Sequence, residues 1–425
     1  MTAIFLNVLA VLTAFVNVHV LPMDSERILW NHTVLVEGDR IVAVGPVDQI
    51  PVPSGAVVVD GTDRFLMPGL AEMHGHVPPP SQPAEEIEAV LFLYAANGIT
   101  TVRGMLGWPG QLALRDAANS GSLLSPTLYL AGPSFSGQTV SSPKQARERV
   151  RQQVEEGWNL LKVHPGMSRE SYDAMAETAH ALGIRFGGHV PADVGLEHAL
   201  EMGQETFDHV DGFVEHLGAG QPIDWIQMSD IVARTRQAGA WIVPTGVLWE
   251  TLLGVVSLES LMSFPELAYV SRQTVASWER AHRSRLVNVD PNAVQTALNR
   301  MQIVKALSDG GVPILMGTDA PQQFSVPGFS LHREMKWMVD AGMTPYDVLR
   351  SGTSAVGRYF SNEDQFGNVA VGHRADLLML DANPFESISH VADRVGVMVR
   401  GRWLPESEIQ SRLDALASRY AAPQE

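Results

Sequence analysis

Eight short apolar runs, at 65–73, 99–103, 127–131, 159–163, 185–189, 206–210, 241–245 and 312–317, punctuate the middle of the chain. Between them the apolar positions take helical spacing, with start and stop signals at the ends. Ser142 stands as a cap and Pro143 at the first helical position. Ala146, Val150 and Val154 fall on one face, and Gly157 marks the stop. Thr344-Pro345-Tyr346-Asp347 repeats the start signal. Strands alternating with helices eight times over predict an α/β fold, a closed parallel (β/α)8 TIM barrel, whose active site would lie at the carboxyl ends of its strands.

The two ends carry a different pattern. Thr33-Val34-Leu35-Val36-Glu37 and Arg40-Ile41-Val42-Ala43-Val44 read as two strands around a Gly38-Asp39 turn. Strand-turn patterns return at 375–381 and 395–402. Both termini are therefore expected to build one small β-sandwich (15–63 and 367–404), with the barrel (64–366) inserted into it and a C-terminal helix or tail over 405–425. Residues 1–14 are uncharged and apolar like the hydrophobic part of a leader. They lack a basic start and a good cleavage site, and are too short to span a bilayer. From Phe15, Val16, Val18 and Val20 alternate with Asn17 and His19, as a half-buried strand does. A cytoplasmic protein is expected, with export left open by the apolar start.

Composition narrows the chemistry. The net charge of −17, from 30 Lys and Arg against 47 Asp and Glu, speaks against nucleic acid or an anionic membrane as a partner. A small-molecule substrate is expected instead, with a homo-oligomer left open. Of 425 residues none is cysteine, so disulfides, thiolate ligands and a cysteine nucleophile are excluded together, and His, carboxylate and Lys must carry any metal chemistry.

Those residue types gather at the strand ends. His74-Gly75-His76 closes the first run, and two imidazoles at i and i+2 of an emerging strand point the same way, able to grip one ion. Lys162 ends the fourth run, His189 the fifth and His209 the sixth, while Asp319 follows the eighth. Singly, each has a structural alternative, a hydrogen-bonded histidine or a helix cap. Six at one barrel end argue against coincidence. Lys162, with apolar neighbours on both sides, either reaches the cleft as an ordinary ammonium or is neutral and adds carbon dioxide to form a carbamate.

These landmarks resemble the amidohydrolase superfamily, in the branch of imidazolonepropionase-like proteins and Xaa-Pro dipeptidases that includes ochratoxin-cleaving relatives. The resemblance rests on Met67-Pro68-Gly69-Leu70 before His74-Gly75-His76, Leu161-Lys162-Val163, Gly188-His189-Val190, Asp208-His209-Val210, Gly317-Thr318-Asp319-Ala320 and Gly372-His373-Arg374-Ala375-Asp376-Leu377. It implies two divalent metal ions, zinc foremost. His74, His76 and Asp319 would hold the more buried ion and His189 and His209 the more exposed one, with carbamylated Lys162 bridging them. Asp319 would also shuttle the proton. Glu72 departs from the Asp that many relatives carry two residues before the first His, with little implied for the metals.

The implied reaction is hydrolysis of a C–N bond in a small molecule, with a dipeptide or N-acyl amino acid ahead of a cyclic amide. A lactonase or esterase, or a catalytically silent metal-stabilised scaffold, are the alternatives. Arg103 and His164 lie on the right face to bind a carboxylate or an oxyanion, each with an equal structural alternative at the barrel mouth. The long excursion 246–309, with Trp249, Met262, Phe264, Tyr269 and Trp278, reads as added helical packing rather than a moving lid. His282 reads as a solvated helix residue, and Pro78-Pro79-Pro80 as a stiff loop spacer.

Overall fold

The computed structural model describes residues 12–421, and the apolar start is outside it as far as residue 11. Strands at both ends of the chain form one eight-stranded sheet. It contains β1 (Leu12–Val20), β2 (Leu29–Glu37), β3 (Arg40–Pro46), β4 (Val57–Asp60) and β5 (Phe65–Pro68) from the first part. β13 (Leu377–Leu380), β14 (Arg394–Val399) and β15 (Arg402–Pro405) come from the last. The order is β15-β14-β13-β5-β1-β2-β3, with β4 on β1.

In a flat sheet β15 and β1, four spacings apart, would be separated by about 19 Å. The Phe15 and Trp403 rings instead meet at 5.1 Å, so the sheet bends over onto its own apolar filling. Phe15, Val34, Leu66, Leu377 and Met398 share that small core. The sandwich-like packing is therefore made by one curled sheet rather than two separate ones.

The middle of the chain holds the parallel strands, as two sheets: β6 (Leu70–Gly75), β7 (Ile99–Gly104) and β8 (Thr127–Leu130), then β9 (Leu160–Val163), β10 (Arg185–Gly188), β11 (Thr206–Asp208) and β12 (Trp241–Val243). Nearly every residue of these strands is buried, as expected of parallel strands covered on both faces. Single bridges continue the arrangement, Ala131 to Leu160 between β8 and β9 and Ile242 to Ile314 beyond β12.

Two sequence expectations change here. The run 65–73 serves both sheets, dividing at Gly69, where a Cβ would come within 2.4 Å of Thr100 Oγ1. The run 312–317 forms a bridge and loop hydrogen bonds rather than a ladder strand.

The excursion folds as helices, among them Gly246–Leu253, Arg272–Leu286 and Ala293–Asp309. His282, expected in solvent, is fully buried there, its ring 6.2 Å from that of Phe324. The helix around it turns that face inward. A final helix, Glu406–Ala421, packs back over the chain and joins Glu86 through Arg419 and Tyr420. Among the described residues no helix is long and apolar enough to cross a membrane.

Candidate metal centre

The site grows from how β6 is held. Met73 N donates to Met316 O (2.8 Å), Asp319 N to His74 O (2.7 Å) and His76 N to Ala320 O (2.7 Å), so the 316–320 segment lies along β6. Gly317 makes this approach possible, since a Cβ there would lie 2.7 Å from His74 N. Glu72, fully buried, fastens the same junction by accepting from His74 N (3.0 Å), Thr318 N (2.8 Å) and Thr318 Oγ1 (2.6 Å). Its part is thus to tie β6, which carries His74, to the 316–320 segment that carries Asp319.

One donor atom from each of His74, His76 and Asp319 falls within 4.8 Å of the others. Asp319 Oδ1 is 2.5 Å from His76 Nε2 and 3.6 Å from His74 Nε2, and Asp319 Oδ2 is 3.7 Å from His209 Nε2. The His209 ring centroid lies 4.5 Å from that of His74 and 4.6 Å from that of His189. Lys162, fully buried, brings Nζ to 3.3 Å from His74 Nε2. The structure therefore gathers all six predicted residues at the carboxyl ends of the parallel strands.

The opposite ring nitrogens are held from behind. Asp211 engages His189 Nδ1 at 2.6 Å and Thr245 Oγ1 engages His209 Nδ1 at 2.7 Å. Asp208 Oδ2 lies 2.9 Å from His74 Nδ1, off the ideal hydrogen-bond direction, and 3.4 Å from Lys162 Nζ. A histidine whose Nδ1 is occupied presents its Nε2 forward, which is how metal-binding imidazoles are oriented. Sequence reading missed Asp208, Asp211 and Thr245. The first two sit directly beside His209, at one position before and two after, which was the available signal.

The backbone carries strain at the same place. His209 (φ 63), Val210 (φ 59), Thr245 (φ 51) and Asp319 (φ 64) are all left-handed without being glycine. Each costs on the order of 1–3 kcal/mol, and such residues concentrate where side chains must be aimed.

Burial first, with neighbouring cations adding to it, favours the neutral form of the His74 and His209 imidazoles. Burial, with the Lys162 cation adding to it, lowers His74 to about 4, and burial with His74 and His189 lowers His209 further. Burial would push the Asp319 carboxyl up, but His74, His76 and His209 pull harder and hold it well below the usual range. Burial also lowers Lys162, against the pull of Asp208 and Asp319. Neutral imidazoles beside an ionised carboxylate are the donor set a divalent cation takes.

The two residues expected to meet substrate part company. His164 is half-buried beside the site, its ring 5.0 Å from that of His189. Arg103 is fully buried beneath it, bonded to Met73 O (2.6 Å), Thr206 Oγ1 (3.1 Å), Tyr359 OH (3.1 Å) and Asp208 Oδ1 (3.3 Å). The expectation that Arg103 binds a carboxylate or oxyanion of the substrate is corrected, because its donors are engaged inside the protein.

The chain belongs to the Amidohydrolase family, whose profile matches residues 65–404. It is 24% identical over 408 residues to adenine deaminase 3 of Rhizobium meliloti (strain 1021), covering 91% of this chain and 56% of that protein. The chain thus spans about half the length of that curated relative. It is also 24% identical to imidazolonepropionase of Streptomyces coelicolor, over 87% of this chain and 90% of that one. A solved structure of a putative prolidase from Bifidobacterium longum superposes with a TM-score of 0.73 at 23% identity, covering 97% of this chain and all of the other, and supports the fold.

Proposed function

We propose that the chain is a metal-dependent hydrolase that cleaves the C–N bond of an amide in a small molecule such as a dipeptide or N-acyl amino acid. The observation that carries this reading is the convergence of His74, His76 and Asp319 donor atoms within 4.8 Å. His74, His76 and Asp319 would hold one divalent ion, His189 and His209 a second, and Lys162, as a carbamate, would join them. Zinc suits these nitrogen and oxygen donors. Metal ions so bound supply Lewis acidity, making a water nucleophilic near neutral pH and polarising the carbonyl under attack.

The chain's own groups do the rest. Asp319, ionised and against His76, takes the proton from the attacking water and delivers it to the departing nitrogen. His164 faces the substrate side beside His189, while Arg103 and Asp208 hold His74 and Lys162 from below. The parallel strands and the 312–317 run are proposed to close as a (β/α)8 barrel. Hydrogen bonds from Met73 N to Met316 O and from Leu315 N to Ile242 O, both 2.8 Å, support closure on either side of the eighth run. The terminal sheet is its accessory domain.

Amine release from a mixed library of dipeptides, N-acyl amino acids and lactams by zinc-loaded protein tests the reading. Cleavage of linear amides supports it. Opening of lactams alone moves the activity to cyclic amides, and silence on every amide with ester or lactone cleavage overturns it.

A further inference from the structure

Beside His76 a cavity of about 330 Å³ opens between the helix Ala84–Ala96, the 76–82 loop, the start of Arg272–Leu286 and the final helix. Its wall is largely apolar and aromatic, with Val90, Leu93, Trp108, Tyr269, Trp278 and Pro327 facing it. Among the described residues no lysine or arginine lines it. Glu86 does, but Arg419 Nη2 and Tyr420 OH each lie 2.5 Å from its carboxylate. A carboxylate entering the cavity would therefore lose water without gaining a cation, whereas an uncharged ring would lose little.

The walls are already set. Gln111 Nε2 donates to Val77 O (2.7 Å) and its Oε1 accepts from Trp108 N (3.2 Å), fixing the loop that carries Trp108. Tyr269 stacks on Phe329 at 5.3 Å, and Trp278 packs against Phe324 at 5.7 Å. Trp108 stays 42% exposed at the rim, an indole left for something to cover. Because His76 belongs both to this wall and to the candidate metal centre, the cavity opens directly beside the centre.

Resting on the amide-hydrolase reading, we infer that this cavity selects amides bearing a large, uncharged aromatic group, which it receives while the scissile bond meets the centre. Hydrophobic pockets discriminate by about 10- to 200-fold per small apolar group. Amides carrying a naphthyl group on either half are expected to exceed their methyl counterparts in kcat/KM by about 100-fold.

Val90→Phe and Thr274→Phe fill the cavity from two different helices of its wall, and the thermal midpoint of each reports whether it folds. Calorimetric binding of uncharged 2-naphthamide to wild type and to both variants gives a readout independent of turnover. At least tenfold weaker binding in the filled variants, and a naphthyl-to-methyl ratio falling toward one, support the inference. Equal binding in all three proteins overturns it. Equal cleavage of naphthyl and methyl amides by wild type overturns it too, but leaves amide hydrolysis standing. Naphthamide binding lost in the variants, with no amide cleaved by any protein, keeps the cavity assignment and removes the reaction.

Discussion

Two buried polar clusters, each built on a fully enclosed arginine, serve different ends. Arg374 joins the curled sheet to β7, bonding Asp376 (2.6 Å), Asp364 (2.7 Å) and Thr101 Oγ1 (2.7 Å). Asp376 also accepts from Arg400 N (2.8 Å), and Asp364 from Arg40 (2.9 Å). That cluster is closed, because each charge ends on a partner within the protein. Arg103 starts a second cluster through Asp208 toward His74 and Lys162, but this one ends on imidazole nitrogens from several strands that crowd around the single Asp319 carboxylate. Buried charges paired one to one hold a fold; several imidazole nitrogens gathered on one carboxylate make the donor set of a metal ion.

The contrast is broken most sharply by Asp319→Asn. Its turnover is expected to fall by about 10³-fold or more, with the thermal midpoint little changed, since general acid–base groups contribute about 10²–10⁴-fold. Steady-state amide hydrolysis within about tenfold of wild type would remove Asp319 from proton transfer. In the closed cluster the effect should invert. Arg374→Ala strands two carboxylates and should lower stability by about 3–5 kcal/mol in denaturant unfolding. The kcat/KM of the protein that remains folded should be unchanged.

A smaller effect is expected behind the imidazoles. Asp211→Asn weakens the hold on His189 and should lower metal affinity by about 10- to 100-fold, measured by competition with a chelator. A pH-dependent effect lies outside both clusters. Burial raises Glu334 from 4.5 to about 8, with Glu250 adding to it, although Gly246 N and Val247 N donate to the carboxylate. A carboxyl raised on folding contributes stability that is complete below pH 4.5 and lost as pH climbs toward 8. Glu334→Gln should flatten that decline in denaturation midpoints followed across the window.

The sequence disclosed the Asp319 cluster better than the closed one, for a physical reason. His74, His76, Lys162, His189, His209 and Asp319 stand out because each follows an apolar strand, and strand ends are where a parallel fold collects its chemistry. Arg103 occupies such a position too. Its inward direction depends on Tyr359 and Asp208, remote in sequence, so position alone suggested substrate. Asp211 and Thr245 were hidden because an orienting residue needs only to reach the back of one ring. The terminal strands were legible from their turns, whereas the division of 65–73 at Gly69 depends on Thr100 from another strand. His282 failed as a surface residue because the helix carrying it is covered by Phe324, a contact no local pattern announces.

The most direct test strips the protein of metal with a chelator, then follows both bound zinc and release of amine from an N-acyl amino acid during reloading. Activity that vanishes on stripping and returns as zinc approaches about two equivalents per chain, the number the paired ligand sets imply, is the expected result. Full turnover by the stripped protein would contradict the metal centre.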